Sequence, residues 1–174
     1  GRLVIICNHP LGTLDAAAVF KLVSDVRPDV KVIVEQDQTN SLDFASSALA
    51  SIVLPYEMAY EMASKACPED LEINKDALDF LQEEGALIFF PCQDVSRIRP
   101  AGLRDAKWRR DFLRLALLAQ APVLPLFVDA SHSALFYGLS AIYKPLSEWL
   151  TLPDMYKQTR KSVSLRVGHL IAHE

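Results

Sequence analysis

The chain is poor in glycine, poor in cysteine and without a long unbroken apolar run, and each shortage removes a class of protein. Its six glycines are Gly1, Gly12, Gly85, Gly102, Gly138 and Gly168. No two are spaced G-x-G, no G-K-[ST] occurs, and no Gly-x-Ser-x-Gly occurs. The dinucleotide fingerprint, the P-loop and the hydrolase nucleophile elbow are therefore excluded. Three cysteines, Cys7, Cys67 and Cys92, form an odd set at wide spacing. They give neither a zinc pattern nor a disulfide framework, which reads as reduced thiols in a cytoplasmic setting. The longest apolar stretch, Leu115 to Val128, is interrupted by Gln120, Pro122 and Pro125 and is too short to span a bilayer. Membrane association is expected to be peripheral, or to come from a segment outside this sequence. An initiator Met is also lacking: the chain opens Gly1-Arg2 and enters the apolar run Leu3–Cys7 at once, which predicts a fragment whose natural N-terminus is missing.

What is present suits one globular domain over residues 1–174. Hydrophobic residues make up 51% and charged residues 23%, enough apolar side chain for a core without staples. The net charge of −4 argues against a general nucleic-acid binder. The charge is uneven, however. Arg97, Arg99, Arg104, Lys107, Arg109, Arg110 and Arg114 fall in one segment against only Asp105 and Asp111. A basic segment in an acidic chain points to a local anionic ligand or surface.

Short β-branched runs alternate with helical patterns. Leu3–Cys7, Val30–Val34, Ile52–Leu54 (stopped by Pro55), Ala86–Phe90, Val123–Val128 and Ser162–Val167 read as strands. Thr13–Val26, Ser41–Ala50, Asn74–Glu84 and Lys107–Gln120 read as helices, with Gly85 after the end of the third and Met58–Asp70 an irregular crossing. Continuous apolar strands separated by helices predict an α/β fold: a mostly parallel mixed sheet with helices on both faces. Ligands of such sheets bind beyond the carboxyl ends of the strands. There the sequence places Asn8-His9, Cys92-Gln93-Asp94 and Asp129 to Ser133.

His9 follows the first strand directly, and Asp15 lies at the start of the first helix, where the helix dipole favours a carboxylate. Asp15 could accept Nδ1–H of His9 and leave Nε2 as a general base acting on the substrate's own hydroxyl or amine. The spacing alone leaves open an ordinary turn histidine and an ordinary cap. Ser96 and Arg97 suit an anionic group, since a guanidinium forks onto phosphate or carboxylate; a solvated basic loop is the bland alternative. Arg110 and Arg114, with Lys107 one turn earlier, extend that site or form a solvated helix face. Trp108, Phe112, Leu115 and Ala119 read as core, and Cys92 as a buried cysteine rather than a nucleophile. His132, between Ser131 and Ser133, reads as structural or pocket-lining.

The run Asn8-His9-Pro10-Leu11-Gly12-Thr13-Leu14-Asp15 resembles the first block of the glycerolipid (lysophospholipid) acyltransferase superfamily. It is closest to the hemolysin-like branch that includes ornithine-lipid acyltransferases, which also has five residues between His and Asp. Phe90-Pro91-Cys92-Gln93-Asp94-Val95-Ser96-Arg97 resembles that branch's Phe-Pro-Ala-Gly-Glu-Val-Ser-Arg. Trp108 and the segments Ala121–Pro125, Ser133–Tyr137 and Val167-Gly168 resemble later blocks in the same order. The departures are Cys92-Gln93-Asp94 for Ala-Gly-Glu, His132 for Asn and His169 for Pro.

The resemblance implies a glycerol-3-phosphate acyltransferase-like fold with His9 and Asp15 catalytic. It implies that Asn8, Gly12, Thr13, Pro91, Asp94, Ser96, Arg97 and Ser133 line the substrate site. The implied reaction moves a fatty acyl group from acyl-CoA or acyl carrier protein to a hydroxyl of a lysophospholipid, glycerol phosphate or lyso-amino-acid lipid. It needs no metal and no bound cofactor, and is expected at the inner face of the cytoplasmic membrane. The alternatives are an N-acyltransferase or thioester hydrolase using the same pair, or a non-catalytic lipid- or carrier-binding domain, which the altered Cys92-Gln93-Asp94 block favours.

Overall fold

The computed structural model describes residues 1–10, 13–35, 53–56, 75–92, 97–99, 102–104, 108–130 and 163–173. The helix expected over 41–50 and the crossing over 58–70 lie outside them. Among the described residues eight strands and three helices run in the order β1 (Leu3–Cys7), α1 (Thr13–Ser24), β2 (Val30–Glu35), β3 (Val53–Tyr56), α2 (Lys75–Gln82), β4 (Ala86–Phe89), β5 (Arg97–Arg99), β6 (Gly102–Arg104), α3 (Asp111–Leu118), β7 (Val123–Asp129) and β8 (Ser164–Val167). Six strands form one sheet in the order β3-β2-β4-β1-β7-β8. All its pairings are parallel except β7 with β8, so the predicted mostly parallel mixed sheet is what forms.

The central strands are apolar without alternation because both their faces are covered. Val4 and Ile6 of β1 join Leu87 and Phe89 of β4 in one cluster with Ala77 and Leu81 of α2 and Phe112, Leu115 and Ala116 of α3. Ile5, Cys7, Ala86 and Ile88 face the other way, with Leu126, Val128 and the α1 residues Val19, Phe20 and Val23. Thus α1 covers one face while α2 and α3 cover the other. The connection leaving β1 and the one leaving its neighbour β4 depart on opposite faces, and such a divergence opens a crevice beyond the carboxyl ends of the two strands.

Three local expectations need correction. Pro55 does not stop its strand but lies inside β3, opposite Val34. β3 is an edge strand, where a residue lacking N–H leaves no ladder bond unmade. The helix expected from Lys107 begins at Asp111, so Arg110 precedes it and Trp108 is exposed rather than core. Phe112, Leu115 and Ala119 are buried as expected. Gly85 follows the end of α2 as expected, and the left-handed residue there is Glu84 (φ 69°). A Cβ on Gly85 would come within 2.5 Å of the Phe80 ring. Finally, Val167 is exposed although Val163 and Leu165 pack against the core.

Pro125 shapes the other side of the sheet. The odd-numbered residues of β7 bond toward β8, so the missing Pro125 N–H is missing on that side, where Gly168 N–H still reaches the Pro125 carbonyl at 2.8 Å. Leu126 pairs with Val167 but Val123 with Ile171, so one extra residue bulges opposite the proline. A Cβ on Gly168 would approach the Pro125 carbonyl oxygen to 3.2 Å.

The amino ends of β1 and β4 are tied by arginines. Arg2 donates to Glu84 Oε1 at 2.6 Å and to the Ala119 carbonyl at 2.8 Å, while Arg27 donates to the Gly1 and Glu84 carbonyls, each at 2.8 Å. The Arg2 hydrogen bonds hold the Glu84 carboxyl below its usual range, and the Arg27 guanidinium does the same for Asp29.

Candidate active site

β1 ends at Cys7, in register with Leu126 and three residues before β7 runs out on its flank, so Val128 has peptide groups aimed at a strand that is no longer there. The Asn8 side chain supplies what the backbone does not. Its Oδ1 accepts Val128 N–H at 2.7 Å and its Nδ2 donates to the Val128 carbonyl at 3.0 Å. Asn8 is buried, as it must be to replace a ladder bond inside a sheet. The chain is thereby free to leave the sheet at His9 while its last sheet-bound residue stays fixed.

His9 faces the crevice between β1 and β4. Its ring lies against Phe90, the residue after β4, with centroids 4.7 Å apart and planes inclined at 42°. Its Nδ1 is 3.8 Å from Oδ2 of Asp15. Asp15 sits in the first turn of α1, where the unpaired N–H groups and the dipole favour a carboxylate, and its side chain is fully buried. The His9 side chain retains 17% exposure. The separation is ion-pair range, slightly beyond a hydrogen bond, as general-base pairs often are without substrate. With Nδ1 turned to the carboxylate, Nε2 is the nitrogen left to take a proton, and the buried charge supports the imidazolium that forms.

Of the remaining expected site residues, Pro91 is fully buried, its carbonyl accepting Arg109 N–H at 3.0 Å. Cys92 beside it is buried at 2% exposure. Thr13 opens α1, and Arg97 opens β5, paired in register with Arg104 of β6. This two-stranded ribbon is an element that the sequence reading did not assign. Gly12, Asp94, Ser96 and Ser133 lie outside the described residues, as do His132, Cys67 and Lys107. Arg109 pairs with Asp111 at the start of α3. Sequence reasoning missed the partner of Asn8; the signal available was a polar residue with both donor and acceptor at the end of an apolar strand. Among the described residues no three or more His, Cys, Asp or Glu side chains gather as a metal site, and no helix is long and apolar enough to cross a membrane.

This α/β domain presents a histidine 3.8 Å from a buried aspartate beyond the carboxyl end of a central strand, an arrangement able to take a proton from a substrate group. The family model described as acyltransferase matches residues 1–173, and the chain belongs to that family. No curated protein and no solved structure matches it.

Proposed function

We propose that this acyltransferase is an O-acyltransferase of the lysophospholipid or glycerolipid type. It would take a fatty acyl group from acyl-CoA or acyl carrier protein and place it on a hydroxyl of a lysophospholipid, glycerol phosphate or lyso-amino-acid lipid. The observation that carries the reading is the approach of His9 Nδ1 to the buried Asp15 carboxylate at 3.8 Å. Nε2 of His9 removes the acceptor hydroxyl proton as the oxygen attacks the thioester carbonyl carbon. The tetrahedral oxyanion is held by backbone N–H groups at the start of α1, the donors a helix leaves unpaired. The C–S bond then breaks and the leaving thiolate takes the proton from the imidazolium, giving ester and thiol with no covalent enzyme intermediate. Asp15 keeps the tautomer and supports the transient charge. Arg97, at the start of a ribbon rich in arginine, suits the phosphate or carboxylate of the acceptor. Acceptors of this kind place the reaction at the inner face of the cytoplasmic membrane, with the protein peripheral to it.

Single-turnover transfer from a labelled acyl-thioester, run against lysophospholipid, glycerol phosphate, lyso-amino-acid lipid and amine acceptors, tests this. Ester product with the first group supports it. Amide product alone, or hydrolysis unaffected by any acceptor, refutes it.

A further inference from the structure

We infer that Asn8 is a positioning residue for His9, fixing the turn that carries the imidazole to the end of β7. The inference rests on the role proposed above for His9. Asn8 is 6% exposed, and both polar atoms of its amide are used on one residue, 120 positions away in sequence: Oδ1 takes Val128 N–H at 2.7 Å and Nδ2 gives to the Val128 carbonyl at 3.0 Å. Oδ1 also lies 3.8 Å from the buried Cys7 thiol. Only a planar amide offers an acceptor and a donor side by side at this reach. A carboxylate would face the Val128 carbonyl with a second acceptor, a hydroxyl has one atom for two partners, and an aliphatic side chain would leave both Val128 groups buried and unmet.

The peptide joining Asn8 to His9 cannot turn without breaking one of these bonds. The consequence falls on catalysis because His9 is the next residue, with its ring against Phe90 and its Nδ1 facing the Asp15 carboxylate. The sequence reading placed Asn8 among the substrate-binding residues; with its amide engaged by Val128, its effect on acceptor binding is expected to be small.

The test uses Asn8→Ala and the milder Asn8→Ser in the full chain, with thermal unfolding to establish folding. The expected result is a fall in kcat of about 100-fold for alanine, the scale of loss when a catalytic group is displaced by about 1 Å. Serine should fall between alanine and wild type, and KM for acceptor and donor should stay within about threefold, as for loss of an interaction made only in the transition state. The ¹⁵N signals of the His9 imidazole, assigned by their loss in His9→Gln, should report one tautomer in the wild type and a mixture in the variants. A folded alanine variant with wild-type kcat overturns the inference. So does a rise in KM at constant kcat, which would make the amide a substrate contact. If neither variant folds, Asn8 is structural and the inference also fails. Should the wild type transfer no acyl group at all, the proposed function fails, while the imidazole signals still decide whether Asn8 sets the state of His9.

Discussion

Replacing Asp15 by Asn tests the His9–Asp15 pair with the least disturbance of packing, because the two side chains have nearly the same shape. Asp15 is fully buried and 3.8 Å from Nδ1. At that separation and an effective dielectric of about 20, unit charges attract by about 4 kcal/mol. That stabilisation exists only when His9 is an imidazolium, so it appears in the transition state and not in the resting enzyme. About 4 kcal/mol corresponds to about three orders of magnitude in rate, within the range of about 10²–10⁴ for a general base. Folding should change little: the substitution removes a favourable charge from a helix N-terminus, worth about 0.3–1 kcal/mol. The assay is single-turnover transfer with enzyme in excess, which isolates chemistry from product release. The expected outcome is a rate lower by about 10²–10³ with a near-wild-type unfolding midpoint. In the double variant with His9→Ala, the Asp15 substitution should add almost nothing, since the carboxylate acts through the imidazole. A folded Asp15→Asn enzyme retaining more than a tenth of the wild-type rate would refute the electrostatic argument.

Arg97→Ala should raise KM for a phosphate- or carboxylate-bearing acceptor by about 30-fold, the equivalent of about 2 kcal/mol for a charge-assisted contact, and leave an uncharged acceptor nearly unaffected; equal effects would make Arg97 structural. Cys92→Ala should keep most of the activity, because a buried thiol outside the His9–Asp15 pair has no step to perform; an inactive variant together with an acyl group trapped on Cys92 would establish a thiol mechanism instead. Gly85→Ala should destabilise by about 1–3 kcal/mol in urea unfolding, because its Cβ would meet the Phe80 ring at 2.5 Å, and adding Phe80→Ala should relieve that part of the loss. The carboxyls of Glu84 and Asp29 are held below their ordinary values by Arg2 and Arg27. Their contribution is therefore complete above the unfolded value of about 4 and lost as pH falls through the lowered folded values. Arg2→Ala should flatten the acid limb of the stability curve, and an unchanged limb would mean that the exposed pair contributes nothing.

What the sequence made legible is what depends on local pattern. The runs Leu3–Cys7 and Ala86–Phe89 read as doubly buried strands because nothing polar interrupts them, and the structure buries alternate residues of each in opposite clusters. His9 and Asp15 were legible as candidates because strand end and helix start are local events. What escaped depends on where a residue falls in the sheet. Pro55 reads as a stop, but is tolerated because β3 turned out to be an edge, a fact set by strand order and not by the tetrapeptide. The left-handed turn after α2 falls on Glu84, whose side chain Arg2 holds from 82 residues away, a contact that no local pattern shows. The late start of α3 is similar: Arg109, before the helix, bonds through its N–H to the Pro91 carbonyl just past β4, a long-range contact that the local pattern does not show.

The arrangement also explains why five residues suffice between His9 and Asp15. A histidine just beyond a strand end would ordinarily be held loosely. Here precision comes from three different strands and the helix that follows. Asn8 ties the turn's origin to β7, Phe90 at the end of β4 supports the imidazole face, and the first turn of α1 brings the carboxylate. Because β1 lies between β4 and β7, His9 leaves the sheet where all these supports are within reach. A site built in this way tolerates change within the turn better than change in the strands beside it. Asn8 and Asp15 are buried and Phe90 is half-buried, so a change at any of them disturbs packing as well as the position of His9.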